Sequence, residues 1–428
     1  MAVDDSAILD SLRRGDWLTR ERARLWGLAV LAASALGFAF LVATSDGLND
    51  YQGRPLGTDF SNVYAAGSYV LDGRPAAAFD WPAQHAREQA IFGEKTPFYG
   101  WHYPPLFLFV AGLLALMPYA LALALWQIVS GLLYVATIWI VLRSVADRAG
   151  AWPNLLTRDP LWLLLALAYP AVFVNIGHGH NGFLTAALLG GALVLLDARP
   201  LLAGILFGLI AYKPQFGVLI PLLLIATGRW RTFAAAALTV AALALATAIA
   251  FGPEVWSAFL ASTRLTRMVV LEQGGTGWHK IQSVFSMVRM WGGSVALAYA
   301  VQGATMVTLA AALVWLWRSP AAFPLKAGAL VFGSILATPY SLDYDLVVLA
   351  PALAFLAAHG FARGFAPYEK AALALLWLVP LVARTVAEWT AVPLGVPAML
   401  LVLALVLRRA AAQTGLSTRW HSAAQPIK

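Results

Sequence analysis

Residues 57–69 read GTDFSNVYAAGSY and lie in the polar region that follows the first long apolar run of the chain. They place one carboxylate, Asp59, among aromatic and small residues. Taken alone, Asp59 is consistent with an ordinary surface acid of a loop. The surrounding sequence decides between that interpretation and a functional one.

The composition identifies the class of protein. Of the 428 residues, 61% are hydrophobic and 12% are charged, and the mean hydropathy is +0.73. A soluble core cannot bury this much apolar surface, so an all-α polytopic membrane protein is predicted. Because Lys and Arg in such proteins mainly mark cytoplasmic loops, the net charge of +8 does not indicate a nucleic-acid partner. The absence of cysteine excludes disulfides, thiolate metal sites and cysteine nucleophiles.

The flank of the first apolar run sets its orientation. Residues 25–44 form a run of about 20 residues, which is long enough to span a membrane. The run lacks the short apolar region and the cleavage site of a secretory signal, so a retained first helix is predicted. Five cations before it predict that residues 1–24 are cytoplasmic: Arg13, Arg14, Arg20, Arg22 and Arg24. Residues 45–118 then form a large outer loop.

This outer loop has helical patterns of its own. Residues 60–71 and 82–92 have helical spacing with apolar residues on one face, which predicts short helices at the membrane interface. The apolar run 104–117 has about 14 residues, so it is either a short transmembrane helix or a third interfacial helix. Loop charges favour the second, because a single span at 119–142 leaves the following arginines inside.

The same charge rule orients the later apolar runs. They are predicted to span near 161–176, 182–197, 201–213, 214–227, 232–251, 294–317, 326–338, 345–358, 371–387 and 393–407. The total is about twelve transmembrane helices, with outer loops near 252–293 and 338–345 and a cytoplasmic tail at 408–428. The span boundaries within 104–118 and 201–227 stay open.

Four polar clusters fall on the outer side with Asp59, although none of them was used to orient the helices. They are 175–181 with His178, His180 and Asn181; 213–215 with Lys213 and Gln215; 278–282 with His279 and Lys280; and 340–345 with Asp343, Tyr344 and Asp345. Their convergence predicts a shared site around Asp59.

Each cluster also has a simpler explanation. Lys213 lies between two apolar runs of about 13 residues. Its ammonium either extends to the headgroups or, as a costly intramembrane cation, pairs with an anion such as a lipid phosphate. His178 and His180 are equally consistent with interfacial polar residues. A metal bound to this pair is not favoured, because no carboxylate lies near them in the sequence.

Other chemistries lack their sequence signatures. The chain has no Walker-type phosphate loop, no His-Glu-x-x-His and no Gly-x-Ser-x-Gly. It has no internal repeat of the kind found in many transporters, and the predicted spans contain almost no acids to carry protons or ions.

Five motifs follow one another along residues 25–410: Gly-Thr-Asp-Phe-x-x-Val-Tyr-x-Ala-Gly, Tyr-Pro-Pro-Leu, Gly-His-x-Asn-Gly, Tyr-Lys-Pro-Gln and Thr-Pro-Tyr-Ser-Leu-Asp-Tyr-Asp. Their order resembles glycosyltransferase family 87. The family comprises polytopic C-type glycosyltransferases that use a sugar, commonly mannose, linked to a polyprenyl phosphate. The resemblance implies a conserved seven-helix module, here 25–251, followed by more variable helices, here 252–407.

The resemblance also implies a catalytic carboxylate at Asp59. Some members have Ser-Trp-x-His-His in the late outer loop, where this chain has Ser341-Leu-Asp343-Tyr344-Asp345. A role of those histidines would therefore fall to His279 or His102. The implied donor and acceptor are a polyprenyl-phosphate sugar and a lipid or glycan hydroxyl, in a cell membrane with the site on the outer face. No cofactor or metal site is predicted, and whether a divalent metal assists the transfer stays open.

The expected chemistry assigns a role to each candidate residue. Asp59 takes the proton of the acceptor hydroxyl as it attacks the anomeric carbon with inversion, and Asp343 and Asp345 are its rivals as the base. Cations and histidines stabilise the leaving phosphate: Lys213, His279, Lys280 and His102. The predicted substrate-binding residues are Tyr64, His180, Asn181, Gln215, Asp343, Tyr344 and Asp345. The alternatives are a lipid or sugar transporter without chemistry, or an outer-face glycan ligase or polymerase.

Overall fold

A computed structural model describes residues 5–149 and 158–414, and most of the predicted tail at 408–428 lies outside these ranges. The α-helices of the described residues are α1 Asp5–Arg14, α2 Arg20–Ala43, α3 Thr58–Leu71, α4 Trp81–Phe92, α5 Leu108–Ala115, α6 Tyr119–Ala149, α7 Leu161–Leu167, α8 Pro170–His178, α9 Gly182–Leu195, α10 Pro200–Leu209, α11 Pro214–Gly217, α12 Leu219–Ala226, α13 Trp230–Phe251, α14 Glu254–Thr266, α15 Val284–Met290, α16 Val295–Arg318, α17 Phe323–Leu336, α18 Ala350–Arg363, α19 Glu369–Thr390 and α20 Gly395–Gln413. Short 3₁₀ helices lie at Pro75–Phe79, Pro105–Phe107, Ile210–Tyr212, Trp278–Lys280 and Asp343–Leu349, with a π-helix at Arg267–Glu272. The prediction of an all-α fold is confirmed.

Seven helices of the described residues are long and apolar enough to cross a membrane, which confirms a multi-span membrane protein. They are α2, Tyr119–Asp147 within α6, α13, α16, Asp343–Arg363, α19 and α20. The pair α7 and α8 makes an eighth candidate if it is one span, with a bend of 45° at the break between the two helices.

The predicted count of about twelve spans is not supported. The runs at 182–197, 201–213, 214–227 and 326–338 form helices of only 10–17 residues. At a rise of about 1.5 Å per residue, a 14-residue helix covers roughly 21 Å of a hydrocarbon core about 30 Å thick. Helix α17 shows where such a run goes instead, because twelve of its fourteen residues are buried in the protein. A run that is apolar all round is equally suited to a protein interior.

The segment predicted as the first outer loop contains helices close to both predicted positions, since α3 and α4 correspond to 60–71 and 82–92. Helix α3 packs against α5, and Phe60, Ala65 and Ala66 on α3 are fully buried. The run 104–117 forms a short apolar helix, Pro105–Ala115, whereas the following helix is long enough to span. The length of the helices thus agrees with the choice of 119–142 as the span.

Candidate active site

Asp59 lies in the first turn of α3, directly after a turn at Gly57. The residue is half-buried, but its Oδ2 is buried and has no hydrogen-bond partner among the described residues. Burial raises the pKa of Asp59 above its ordinary value, while neighbouring groups, among them Lys213 and the Tyr344 hydroxyl, oppose the shift. The site therefore contains a carboxylate with one oxygen available and a raised basicity.

The turn between α8 and α9 packs directly on the start of α3. Gly179 has a φ of +61°, and a Cβ at this position would lie 2.6 Å from the Cβ of Phe60, so only glycine fits. The indole N–H of Trp126 on α6 donates to the Gly179 carbonyl at 3.1 Å and holds the turn. This contact brings His178 to α3, where its Nδ1 lies 2.6 Å from Oγ1 of Thr58.

Lys213 forms a buried ion pair at the break between α10 and α11. Its Nζ lies 2.7 Å from Oδ1 of Asp345 and 2.9 Å from Nε2 of His180. The Lys213 and Asp345 side chains are only 5% and 3% exposed. The other oxygen of Asp345 accepts the backbone N–H of Leu342 at 2.9 Å, so both carboxylate oxygens have partners. The sequence did not identify the partner of the Lys213 ammonium. In the structure that partner is Asp345 of the same chain.

A second ion pair joins α19 to the 340–345 segment. Nε of Arg384 donates to Oδ2 of Asp343 at 2.6 Å, and the same guanidinium lies 3.5 Å from Nε2 of His178. The Asp343 side chain is 5% exposed and that of Arg384 is 40% exposed. Asp343 is thus neutralised as well, by an arginine that reaches into the site from a different helix.

Tyr344 lies between the two ion pairs and faces Asp59. Its ring stacks on His180 with 3.8 Å between centroids and meets His178 edge-on at 5.3 Å. Its hydroxyl is close enough to the Asp59 carboxyl to oppose the rise of the Asp59 pKa that burial causes. The predicted residues His180, Asp343, Tyr344, Asp345 and Asp59 therefore belong to one cluster.

The segment that carries His279 and Lys280 borders this cluster. The backbone N–H of Gln282 donates to the carbonyl of Ser341 at 2.7 Å, which joins this segment to the 340–345 segment. Both His279 and Lys280 are partly exposed. Burial, followed by the nearby charge of Arg384, lowers the pKa of Lys280 from its ordinary value. Among the described residues, Lys280 forms no ion pair within 4 Å.

The remaining predicted residues take different positions. Asn181 is buried at the turn between α8 and α9, and its side-chain amide has no hydrogen-bond partner among the described residues. Gln215 is partly exposed on α11, two residues after Lys213. The Tyr64 hydroxyl donates a hydrogen bond to the Met117 carbonyl at 2.8 Å.

His102 lies apart from the ion pairs, in the segment before Pro105–Phe107. Its Nδ1 lies 3.0 Å from Oγ1 of Thr266, at the end of α14. Burial lowers the pKa of His102 to about 4, so the ring is neutral at neutral pH.

Arg384 is the functional candidate that the sequence analysis missed. It lies within a predicted span, 371–387, where it was counted as part of an apolar run. A charge inside such a run is costly and normally has a partner facing the protein interior. That cost was the available signal, and Asp343 is the partner.

The profile of glycosyltransferase family 87 matches residues 101–339, which is more than half of the chain. The match includes the turn at 175–181, Lys213 and Lys280, whereas Asp59 and the 340–345 segment lie on either side of it. None of the curated proteins and none of the solved structures that were compared matches the chain.

Proposed function

Because the chain belongs to glycosyltransferase family 87, we propose that it transfers a hexose, mannose first among them, from a polyprenyl-phosphate donor to a lipid or glycan hydroxyl. Membership of the family implies transferase activity, and the helices make the protein a multi-pass membrane enzyme. Family membership therefore favours sugar transfer over a transporter without chemistry. We propose the donor, the acceptor and the mechanism from the residues of the site.

One observation carries the mechanism: the cluster leaves a single carboxylate unpaired. Asp345 is paired with Lys213 at 2.7 Å and Asp343 with Arg384 at 2.6 Å. Asp59 forms no ion pair with a described residue and keeps a free oxygen. A carboxylate bound to a cation is a weaker proton acceptor than an unpaired one in a buried site. This supports Asp59 as the general base over both of its rivals.

The leaving phosphate needs positive charge on the other side of the sugar. Lys280 is partly exposed and has no ion-pair partner among the described residues, so it is the leading candidate. Arg384 is also partly exposed, and its guanidinium has N–H donors besides the one that binds Asp343. The imidazole ring of His279 can form a further hydrogen bond to the phosphate. A role for Lys213 in binding phosphate stays a prediction, since its charge is balanced by Asp345. A neutral His102 would contribute at most a hydrogen bond.

The proposed step is a single displacement. The acceptor hydroxyl attacks the anomeric carbon, its proton passes to Asp59, and the bond from the anomeric carbon to the phosphate oxygen breaks. The electron pair of that bond leaves with the polyprenyl phosphate, where cations stabilise it. One displacement inverts the anomeric centre. Positioned proton transfer of this kind contributes about 100-fold to 10,000-fold in rate.

We further propose that His180, Asn181, Gln215 and Tyr344 contact the sugar or the acceptor. Asn181 is suited to this role because both polar atoms of its buried amide have no partner among the described residues. The positive flank of α2 favours the outer face of a cell membrane for the site. A polyprenyl chain can then stay in the bilayer while its sugar enters the cluster around Asp59.

The test is sugar transfer by the purified protein in liposomes, with a panel of polyprenyl-phosphate and polyprenyl-diphosphate sugars. Asp59→Asn keeps the size of the side chain but removes the proton acceptor, so transfer should fall by at least about 100-fold. The rate of the wild-type protein should fall as the pH drops through the raised pKa of Asp59, because only the ionised carboxylate accepts a proton.

Asp46→Asn is the matched control, since Asp46 is an exposed acid of the same outer loop and should be neutral to substitution. Full transfer by a well-folded Asp59→Asn variant would refute the assignment. Preference for a diphosphate donor would favour the ligase alternative instead.

A further inference from the structure

Glu88 is a buried carboxylate that the proposed mechanism does not use. It lies on α4 and is fully buried. Its Oε2 accepts the backbone N–H of Tyr99 and its Oε1 that of Gly100, each at 3.0 Å. Two consecutive N–H groups thus bind the two oxygens of one side chain. Gly100 has a φ of +70°, a conformation that favours glycine and gives the backbone its sharp turn here.

The same side chain is connected to the helix of Asp59. The amide Nε2 of Gln84, one turn earlier on α4, donates to Oε1 of Glu88 at 3.4 Å. It also donates to the backbone carbonyl of Asn62 on α3 at 3.1 Å. Gln84 is fully buried as well. Glu88 and Gln84 therefore join the 93–104 loop, α4 and α3 through buried hydrogen bonds.

The 93–104 loop borders the candidate site through Tyr103. Its ring lies next to that of Tyr212, with 6.5 Å between the centroids. The Tyr212 hydroxyl in turn donates to the carbonyl of Asn181 at 3.2 Å, at the turn between α8 and α9. Burial, followed by the negative charge of Asp59, holds the pKa of Tyr103 well above its ordinary value, which agrees with this position.

We propose that Glu88 is a positioning residue of the transfer reaction: by binding the N–H groups of Tyr99 and Gly100, it fixes the 93–104 loop and places Tyr103 next to Tyr212 at the border of the candidate site. This inference rests on the proposed function, because it gives the loop a role in transfer.

The energetics support a role that only an ionised or polar acceptor can fill. Burial raises the pKa of Glu88 to about 6 despite the N–H donors that oppose the shift, so the charged form carries a cost. An apolar side chain would avoid that cost but would leave two buried N–H groups without an acceptor. Glutamine has only one oxygen, and its NH₂ group would face the second N–H donor.

The test combines amide hydrogen exchange with transfer kinetics on the full-length protein in nanodiscs. In Glu88→Gln, exchange should become at least about 10-fold faster at Tyr99 or Gly100, namely at the N–H group that then faces the NH₂ group and loses its acceptor. Transfer should fall by roughly 10-fold as the loop moves relative to Asp59. Glu88→Asp keeps both oxygens on a shorter side chain and should recover part of each effect.

Glu94→Gln is the matched control, because it makes the same chemical change at an exposed position in the same loop. It should change neither exchange nor transfer. Unchanged exchange in Glu88→Gln would overturn the proposed contact, and faster exchange with unchanged transfer would overturn its role in the reaction. A wild-type protein that transfers no sugar from any donor refutes the proposed function separately, whatever the exchange data show.

Discussion

Replacing Lys213 by Met tests whether the buried ion pair with Asp345 holds the site together. At the observed separation of 2.7 Å and an effective dielectric constant of about 20, the direct attraction is about 6 kcal/mol. Desolvation of both groups offsets much of it. Removing one partner nevertheless leaves the other charge buried and unpaired, which typically costs about 3–5 kcal/mol. We therefore expect Lys213→Met to destabilise the protein by that amount.

The decisive variant is the double replacement Lys213→Met with Asp345→Asn. It buries no unpaired charge, and the asparagine oxygen can still accept the N–H of Leu342. The double variant should recover more than half of the loss, with a coupling energy of about 3 kcal/mol in a double-mutant cycle. The measurement is the free energy of unfolding in detergent, with thermal midpoints as a check on the order of the variants.

A matched cycle on Arg229 and Asp197 gives the control. Their ion pair has the same separation of 2.7 Å, but the side chains are 27% and 48% exposed. Its coupling should be below about 1 kcal/mol, because solvent screens exposed pairs. A negligible coupling at Lys213 and Asp345 would refute the reasoning. A stable double variant with a raised KM for the lipid donor would show that Lys213 also binds phosphate.

Two further predictions concern Arg384 and the orientation of the site. Arg384→Gln should raise the KM for the donor by roughly 10-fold. Arg384→Lys should retain part of the affinity, since phosphate binding depends on the positive charge as well as on the arrangement of the N–H donors. Equal kinetics in the wild type and both variants would show that Arg384 does not belong to the site. Because the chain has no cysteine, Lys95→Cys and Trp230→Cys, both at exposed positions, can be labelled cleanly in intact cells with an impermeant thiol reagent. Labelling at position 95 and not at 230 is expected, and the reverse would place the site on the cytoplasmic side.

The sequence was sufficient to predict the class of fold and the helices of the first outer loop. Hydrophobic composition identifies a membrane protein, and helical spacing located α3 and α4 to within two residues at either end. It could not give the number of spans. An apolar run such as 326–338 has the same composition whether it faces lipid or the interior of the protein, and only tertiary packing distinguishes the two.

The members of the candidate site were predictable, but their partners were not. Lys213 and Asp345 were both singled out, yet they are 132 positions apart and nothing local pairs them. Arg384 could have been predicted, because a charged residue within an apolar run indicates a partner in the protein interior. Glu88 carried none, because its partners are backbone N–H groups whose position depends on how the loop returns to α4.

The separation of Lys213 and Asp345 along the chain has a consequence for biosynthesis. At about 5–20 residues per second, the ribosome makes Asp345 roughly 7–26 s after Lys213. During that interval the lysine has entered the membrane region without its eventual counter-ion. The break at 213 puts the lysine between two short helices rather than in the middle of a long one, so its ammonium can extend to the headgroups while the later helices insert. The final assembly of the candidate site is then a late event, which requires the synthesis of Asp345 and, after it, of Arg384.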